Sequence, residues 1–120
     1  MKTRIEVKRV YQPADPADGF RILVDRLWPR GLAKEAAHVD LWLKDVSPSN
    51  ELRHRFHHDP SLWEEFKASY YAELAQDAAA VEQLRAVLAK HHVVTLLFGA
   101  KEERFNNAVA LREFLTERKH

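Results

Sequence analysis

A chain of 120 residues, 46% hydrophobic and 31% charged, has the balance of one soluble globular domain and is too short for a cofactor domain joined to a substrate domain. Nineteen basic against 18 acidic residues leave a formal charge of +1, which excludes the broad positive field of a non-specific nucleic-acid binder and makes any basic site local. Cysteine is absent, and with it go disulfides, thiolate metal ligands and every cysteine-nucleophile mechanism.

The start, Met1-Lys2-Thr3-Arg4-Ile5-Glu6, has no apolar signal region, and no apolar run approaches the roughly 20 residues of a membrane span. The expected location is cytoplasmic, with no membrane partner. Over residues 4–11, Ile5 and Val7 alternate with Glu6 and Lys8 until Val10 breaks phase, the pattern of a first strand with one dry face. Residues 12–19 hold Pro13, Asp15, Pro16, Asp18 and Gly19 and read as an exposed loop without regular structure. The stretch 20–31, Phe-Arg-Ile-Leu-Val-Asp-Arg-Leu-Trp-Pro-Arg-Gly, organises the rest. Its apolar strand around Ile22, Leu23 and Val24 runs out into Asp25, Arg26, Trp28 and Arg30, closed by Pro29 and Gly31. In a parallel sheet the carboxyl end of a strand opens on the crevice where ligands bind, so an acid and two arginines there mark a candidate site.

Residues 32–38 predict a short helical turn through Lys34-Glu35-Ala36-Ala37. Over 39–46, Val39, Leu41 and Leu43 alternate with Asp40, Trp42 and Lys44, which favours a strand. Ser47-Pro48-Ser49-Asn50 opens a short helix over 51–58. Asp59-Pro60 repeats that signal, and Trp63, Phe66, Tyr70 and Leu74 follow at helical spacing, predicting a helix over 60–75. Asp77 can cap a third, with Val81, Leu84 and Leu88 on one face. The continuous apolar run at 92–98 predicts a central strand, dry on both faces. After Gly99, either Asn106 or Asn107 can cap a last helix carrying Ala108, Leu111 and Leu115. The fold class is therefore a small single-domain α/β protein over residues 1–120, with a partly parallel sheet of about four strands covered by helices. Strand order is not legible in the sequence.

Several of these stretches resemble one family. Asp25-Arg26-Leu27-Trp28-Pro29-Arg30-Gly31, Asp40-Leu41-Trp42-Leu43-Lys44-Asp45, and Pro48-Ser49 with Leu52-Arg53 are similar to the DUF488 family, in its short YeaO-like branch. The likeness continues through His58-Asp59-Pro60, Trp63 with Glu65-Phe66, Tyr70 with Glu73-Leu74, Thr95-Leu96-Leu97, and Asn107-Ala108-Val109 with Leu111. The resemblance implies a bacterial cytoplasmic α/β domain without an established reaction. Other branches carry a Cys-His-Arg turn after the last strand, where this chain has Lys101-Glu102-Glu103-Arg104-Phe105-Asn106, so thiol chemistry does not carry over. A uroporphyrin methyltransferase label borne by some relatives does not fit a chain with three glycines and no Gly-rich nucleotide loop.

Asp25 and Arg26 are adjacent, so only a turn beginning at Leu27 would bring both to one pocket. Arg26 and Arg30 would then present planar forks to a phosphate or carboxylate, with Asp25 holding an arginine or serving as an acid/base. The structural alternative is a buried pair of Asp25 with one arginine that pins the Trp28-Pro29 turn. Trp28 suits a ligand ring, and Lys34, Lys44 and Lys101 are possible extensions of the cluster, each also readable as a solvated lysine. His54, His57, His58 and Asp59 invite a metal reading, but the spacing is not that of a zinc-protease helix, and histidines in a last helical turn suit the dipole. No metal and no cofactor are expected. The partner expected is an anionic, phosphate-bearing small molecule at Asp25, Arg26, Trp28, Arg30, Lys44 and Lys101; whether turnover follows is left open. The rival readings are an interaction or regulatory module with a flat Trp28–Arg30 surface and, disfavoured by net charge, local nucleic-acid contact. Oligomeric state is not legible.

Overall fold

The computed structural model describes residues 3–116, so Met1 and Lys2 of the charged start and residues 117–120 lie outside it. Its strands, β1 (Arg4–Arg9), β2 (Phe20–Leu23), β3 (Leu41–Trp42) and β4 (Val93–Phe98), form one sheet in the order β1-β4-β2-β3. Every pairing is parallel, where the sequence predicted a partly parallel sheet. β4 runs between β1 and β2, matching Arg4 to Val93 on one side and Phe20 to Val94 on the other. A strand in that place must be dry on both faces, and Val94, Thr95, Leu96, Leu97 and Phe98 are all buried. Thr95, the one hydroxyl in the run, donates to the Asp18 carbonyl at 2.7 Å.

Alternation along the strands divides the core between the two faces of the sheet. Ile22, Val24, Leu96 and Phe98 join the larger cluster, under α2 (Asn50–Phe56), α3 (Trp63–Gln76), α4 (Ala78–Leu88) and α5 (Asn107–Thr116). Leu23 and Leu97 turn to the other face, where Val10 and Ala37 of the short α1 (Lys34–Ala37) complete a small cluster edged by Trp28, Leu32, Val39 and Trp42. The helical spacing Trp63, Phe66, Tyr70, Leu74 buries all four side chains, and the Tyr70 hydroxyl, inside the core, donates to the Val46 carbonyl. Asp77 accepts from the Ala80 amide and starts α4, whose Val81, Leu84 and Leu88 are buried. Ser49 caps α2 by accepting from the Leu52 amide at 3.1 Å and donates to Glu73 of α3, which fixes the angle between the two helices.

The structure departs from the sequence pattern in two places that bear on the site. Of the strand expected over 39–46, only Leu41 and Trp42 pair with β2. Lys44–Val46 is a 3₁₀ turn, closed by the Ser47 hydroxyl on the Lys44 carbonyl. The alternating apolar positions are satisfied by burial, so the chain can leave the sheet edge and carry Ser47 and Pro48 toward Arg26. Within 12–19, expected to be irregular, Pro16–Asp18 forms a 3₁₀ turn capped by Asp15. That turn directs Asp18 inward. Asp18 and Arg21 are only 8% and 4% exposed; they pair with each other, and Lys8 Nζ reaches Asp18 at 3.0 Å. Arg21 also donates to the carbonyls of Ala37 and His38, both at 2.9 Å.

Candidate functional site

β2 and β4 end side by side, the Val24 amide donating to the Leu97 carbonyl at 3.1 Å. The residue after Val24 is Asp25, so its carboxylate lies where two parallel strands deliver their carboxyl ends. Asp25 Oδ2 accepts from the Gly99 amide at 2.8 Å, and Oδ1 accepts from Asn107 Nδ2 at 3.1 Å. Gly99 permits this approach, because a Cβ there would stand 3.2 Å from Asp25 Oδ2. The two asparagines that are interchangeable in the sequence have separate jobs. Asn106 caps α5 by accepting from the Val109 amide at 3.0 Å, while Asn107 donates to Asp25 and, at 3.0 Å, to the Val24 carbonyl. Burial pushes the Asp25 carboxyl above its ordinary range; the Asn107 and Gly99 hydrogen bonds and the charges of Arg53 and His58 oppose that rise without cancelling it.

A cavity of about 400 Å³ opens over Asp25. Its polar wall consists of Arg26 from the turn after β2 and of Arg53, His54, His57 and His58 from the end of α2. Phe56, Phe66, Leu27 and Pro48 supply apolar surface. α2 stops because His57 and His58 both take left-handed backbone conformations, with φ of 49° and 56°. For residues with a Cβ this conformation costs about 1–2 kcal/mol each, and here it folds two imidazoles back toward the cavity. The His57 amide bonds the Arg53 carbonyl at 2.9 Å, and His58 Nδ1 lies 3.1 Å from the Phe105 carbonyl, tying the end of α2 to the segment before α5. Arg26 makes two long contacts, 3.4 Å each, to the carbonyls of Ser47 and Pro48. Arg53 donates to the side chain of Asn50. Among the described residues, neither guanidinium is in a salt bridge with a carboxylate.

Of the residues singled out in the sequence, Asp25 and Arg26 come together on the cavity wall. The turn after β2 does what their adjacency required. The alternative pair of Asp25 with an arginine is not formed: its partners are an amide and an asparagine. Trp28 packs edge-on against Trp42 at 5.4 Å and donates to the Leu32 carbonyl at 2.7 Å, as part of the smaller core. Arg30 is exposed, its carbonyl accepting from the Tyr11 hydroxyl. Lys44 is exposed with its ammonium 4.6 Å from the Trp42 ring, and Lys101 is exposed. None of these four lines the cavity. Arg53 and the three histidines are the members that sequence reasoning did not assign to an anion. The signal was present as five basic-capable side chains within 53–58, of which only the histidines, with Asp59, were weighed, as a metal set or as dipole partners. Arg26 and Arg53 share that wall with the histidines, and their fixed charges attract anions and repel cations. Among the described residues no three His, Asp or Glu side chains are grouped to hold a metal, and no helix is long and apolar enough to cross a membrane.

A family model described as "Inactive DUF488-N3 subclade" matches residues 4–120. The uncharacterised protein YeaO of Escherichia coli K12 is 46% identical over 111 residues, covering 92% of this chain and 96% of its own. The uncharacterised proteins Mb3100c of Mycobacterium bovis and Rv3073c of Mycobacterium tuberculosis H37Rv are each 42% identical over 117 residues, 98% of both chains. No solved structure matches.

Proposed function

The chain belongs to the inactive DUF488-N3 subclade, and from that premise we propose that its cavity binds an anionic, phosphate-bearing small molecule without turning it over. One observation carries this reading: Arg26 and Arg53 face a cavity beside three histidines, and among the described residues no carboxylate is in a salt bridge to either. Guanidinium forks without a protein carboxylate suit the planar, two-point recognition of phosphate oxygens. Two facts support binding without turnover, the family's description as inactive and the absence of any cysteine. Asp25, the acid/base candidate, is held by two fixed donors, an arrangement that orients a receptor for ligand hydrogens. A cytoplasmic location belongs to the same proposal, since a chain without cysteine gains nothing from an oxidising compartment.

The test is a thermal-shift and calorimetric screen with inorganic phosphate and phosphorylated metabolites on wild type, Arg26→Ala and Arg53→Ala. A ligand at about 100 times its dissociation constant adds about 2.7 kcal/mol, which moves Tm by on the order of 10 °C for a domain of this size. Loss of that shift in both folded variants is the expected result. Equal shifts in wild type and variants, or none at all, would remove the small-molecule reading. A second reading then takes over, favoured by Leu27, 64% exposed at the cavity mouth, in which the same arginines meet an acidic protein partner.

A further inference from the structure

The cavity lining carries acceptors as well as donors, and the acceptors say what accompanies the phosphate. Its donors are Arg26 and Arg53 with the histidines; its carboxylate is Asp25. A carboxylate offers about four lone-pair positions, and Asp25 uses one on each oxygen, Oδ2 for the Gly99 amide and Oδ1 for Asn107. Each oxygen therefore keeps one acceptor site, and among the described residues no salt bridge involves this carboxylate. Asn107 donates both amide hydrogens, to Asp25 and to the Val24 carbonyl, so its own oxygen is a further acceptor beside that carboxylate. Acceptors repel a phosphate, so the anion belongs on the guanidinium groups and the ligand must bring hydrogen-bond donors to Asp25. Two acceptor sites on the two oxygens of one rigidly held carboxylate match two hydroxyls on adjacent carbons, the way an acidic side chain at the carboxyl end of a parallel sheet takes a ribose. Phe56 and Phe66 add apolar surface to the lining for ring C–H groups, and about 400 Å³ is within the ordinary range for small-ligand sites.

Building on the anion-site reading, we propose that the cavity recognises a ribose 5-phosphate unit, the phosphate on Arg26 and Arg53 and the vicinal diol on Asp25, which makes Asp25 the residue that selects ribose. The unit is shared by free sugar phosphates and by nucleotides, and the test separates them. Calorimetry at one ionic strength would compare inorganic phosphate, ribose 5-phosphate, AMP and 2′-deoxy-AMP on wild type and on Asp25→Asn. The expected result is that AMP or ribose 5-phosphate binds about tenfold or more tighter than inorganic phosphate, and that removing the 2′-hydroxyl costs AMP about tenfold. Asp25→Asn should weaken the ribose ligands by a similar factor and leave inorganic phosphate unweakened. AMP well ahead of ribose 5-phosphate points to a nucleotide; equal affinities point to the free sugar phosphate. Inorganic phosphate binding as tightly as the ribose ligands, or 2′-deoxy-AMP matching AMP, would overturn the ribose assignment while leaving the anion site standing. If inorganic phosphate and every organic phosphate fail to bind, the anion site itself falls. Should Asp25→Asn not fold, the AMP and 2′-deoxy-AMP pair on wild type still decides.

Discussion

Asp18 and Asp25 flank the same strand, one before its amino end and one after its carboxyl end, and each has two cationic neighbours whose charge it meets differently. Asp18 touches Lys8 and Arg21 directly, and the remaining donors of Arg21 go to the carbonyls of Ala37 and His38. Burial works against its charge, but the Lys8, Asp15 and Arg21 hydrogen bonds outweigh it and hold the carboxyl below its ordinary range. Asp25 senses Arg53 without pairing to it, and burial wins, raising its carboxyl. The first cluster is closed on itself and holds the loop before β2 against the sheet. The second leaves guanidinium groups facing a cavity. Similar residues close on one another where the charges meet inside the fold and form a candidate binding site where the fold keeps them apart.

That contrast can be broken first at Asp18. Asp18→Ala leaves Arg21 and Lys8 without their carboxylate and should destabilise the protein by about 3–5 kcal/mol in equilibrium urea unfolding, while the folded fraction still binds phosphate. At the open cluster the outcome should reverse. Arg53→Ala removes a half-buried side chain that hydrogen-bonds Asn50 and is in no salt bridge among the described residues, so stability should move by about 0.5 kcal/mol or less. Phosphate affinity should fall by about 1.5–3 kcal/mol, read by calorimetry. His57→Gly sharpens the comparison further. Glycine accepts the φ of 49° without strain, so the variant should gain about 0.5–1 kcal/mol in urea unfolding and bind phosphate several-fold more weakly.

The smallest effects are in pH dependence, and the two carboxylates should have opposite signs. Asp18 is lowered from 3.8, so its contribution is present above that value and is lost as pH falls through the native pKa. Asp25 is raised from 3.8, so its contribution is fully present below that value and is lost as pH rises through the native pKa. Urea midpoints measured from pH 3 to 7 should therefore show Asp18→Asn losing less stability than wild type toward acid. Asp25→Asn should gain on wild type as pH rises above 3.8. Parallel curves for wild type and both variants would refute the contrast.

Much of this was legible in the chain. The run at 92–98 predicted a central strand, because a continuous apolar segment has no wet face to offer, and Val93–Phe98 pairs on both sides. The helical spacing of Trp63, Phe66, Tyr70 and Leu74 dictated one buried stripe. The family, too, could be read from the Trp-Pro-Arg-Gly stretch and its companions. Half of the candidate site was equally plain, since an acid and an arginine directly after an apolar strand fall at the carboxyl end of whatever parallel sheet forms.

The other half depended on distance in three dimensions. Arg53 and the histidines are far along the chain from Asp25, and nothing in local periodicity says that the end of α2 folds over β2. Trp28, Arg30, Lys44 and Lys101 are closer to Asp25 by motif or by strand end, yet the structure turns Trp28 into the smaller core and leaves the three cations on the surface. Local sequence determined the elements, the dry faces and the chemistry at one strand end, because hydrophobic periodicity and capping act over a few residues. Strand order, the division of labour between Asn106 and Asn107, and the choice of which cations face the cavity were decided only by tertiary packing, because each depends on which distant segment occupies the neighbouring space.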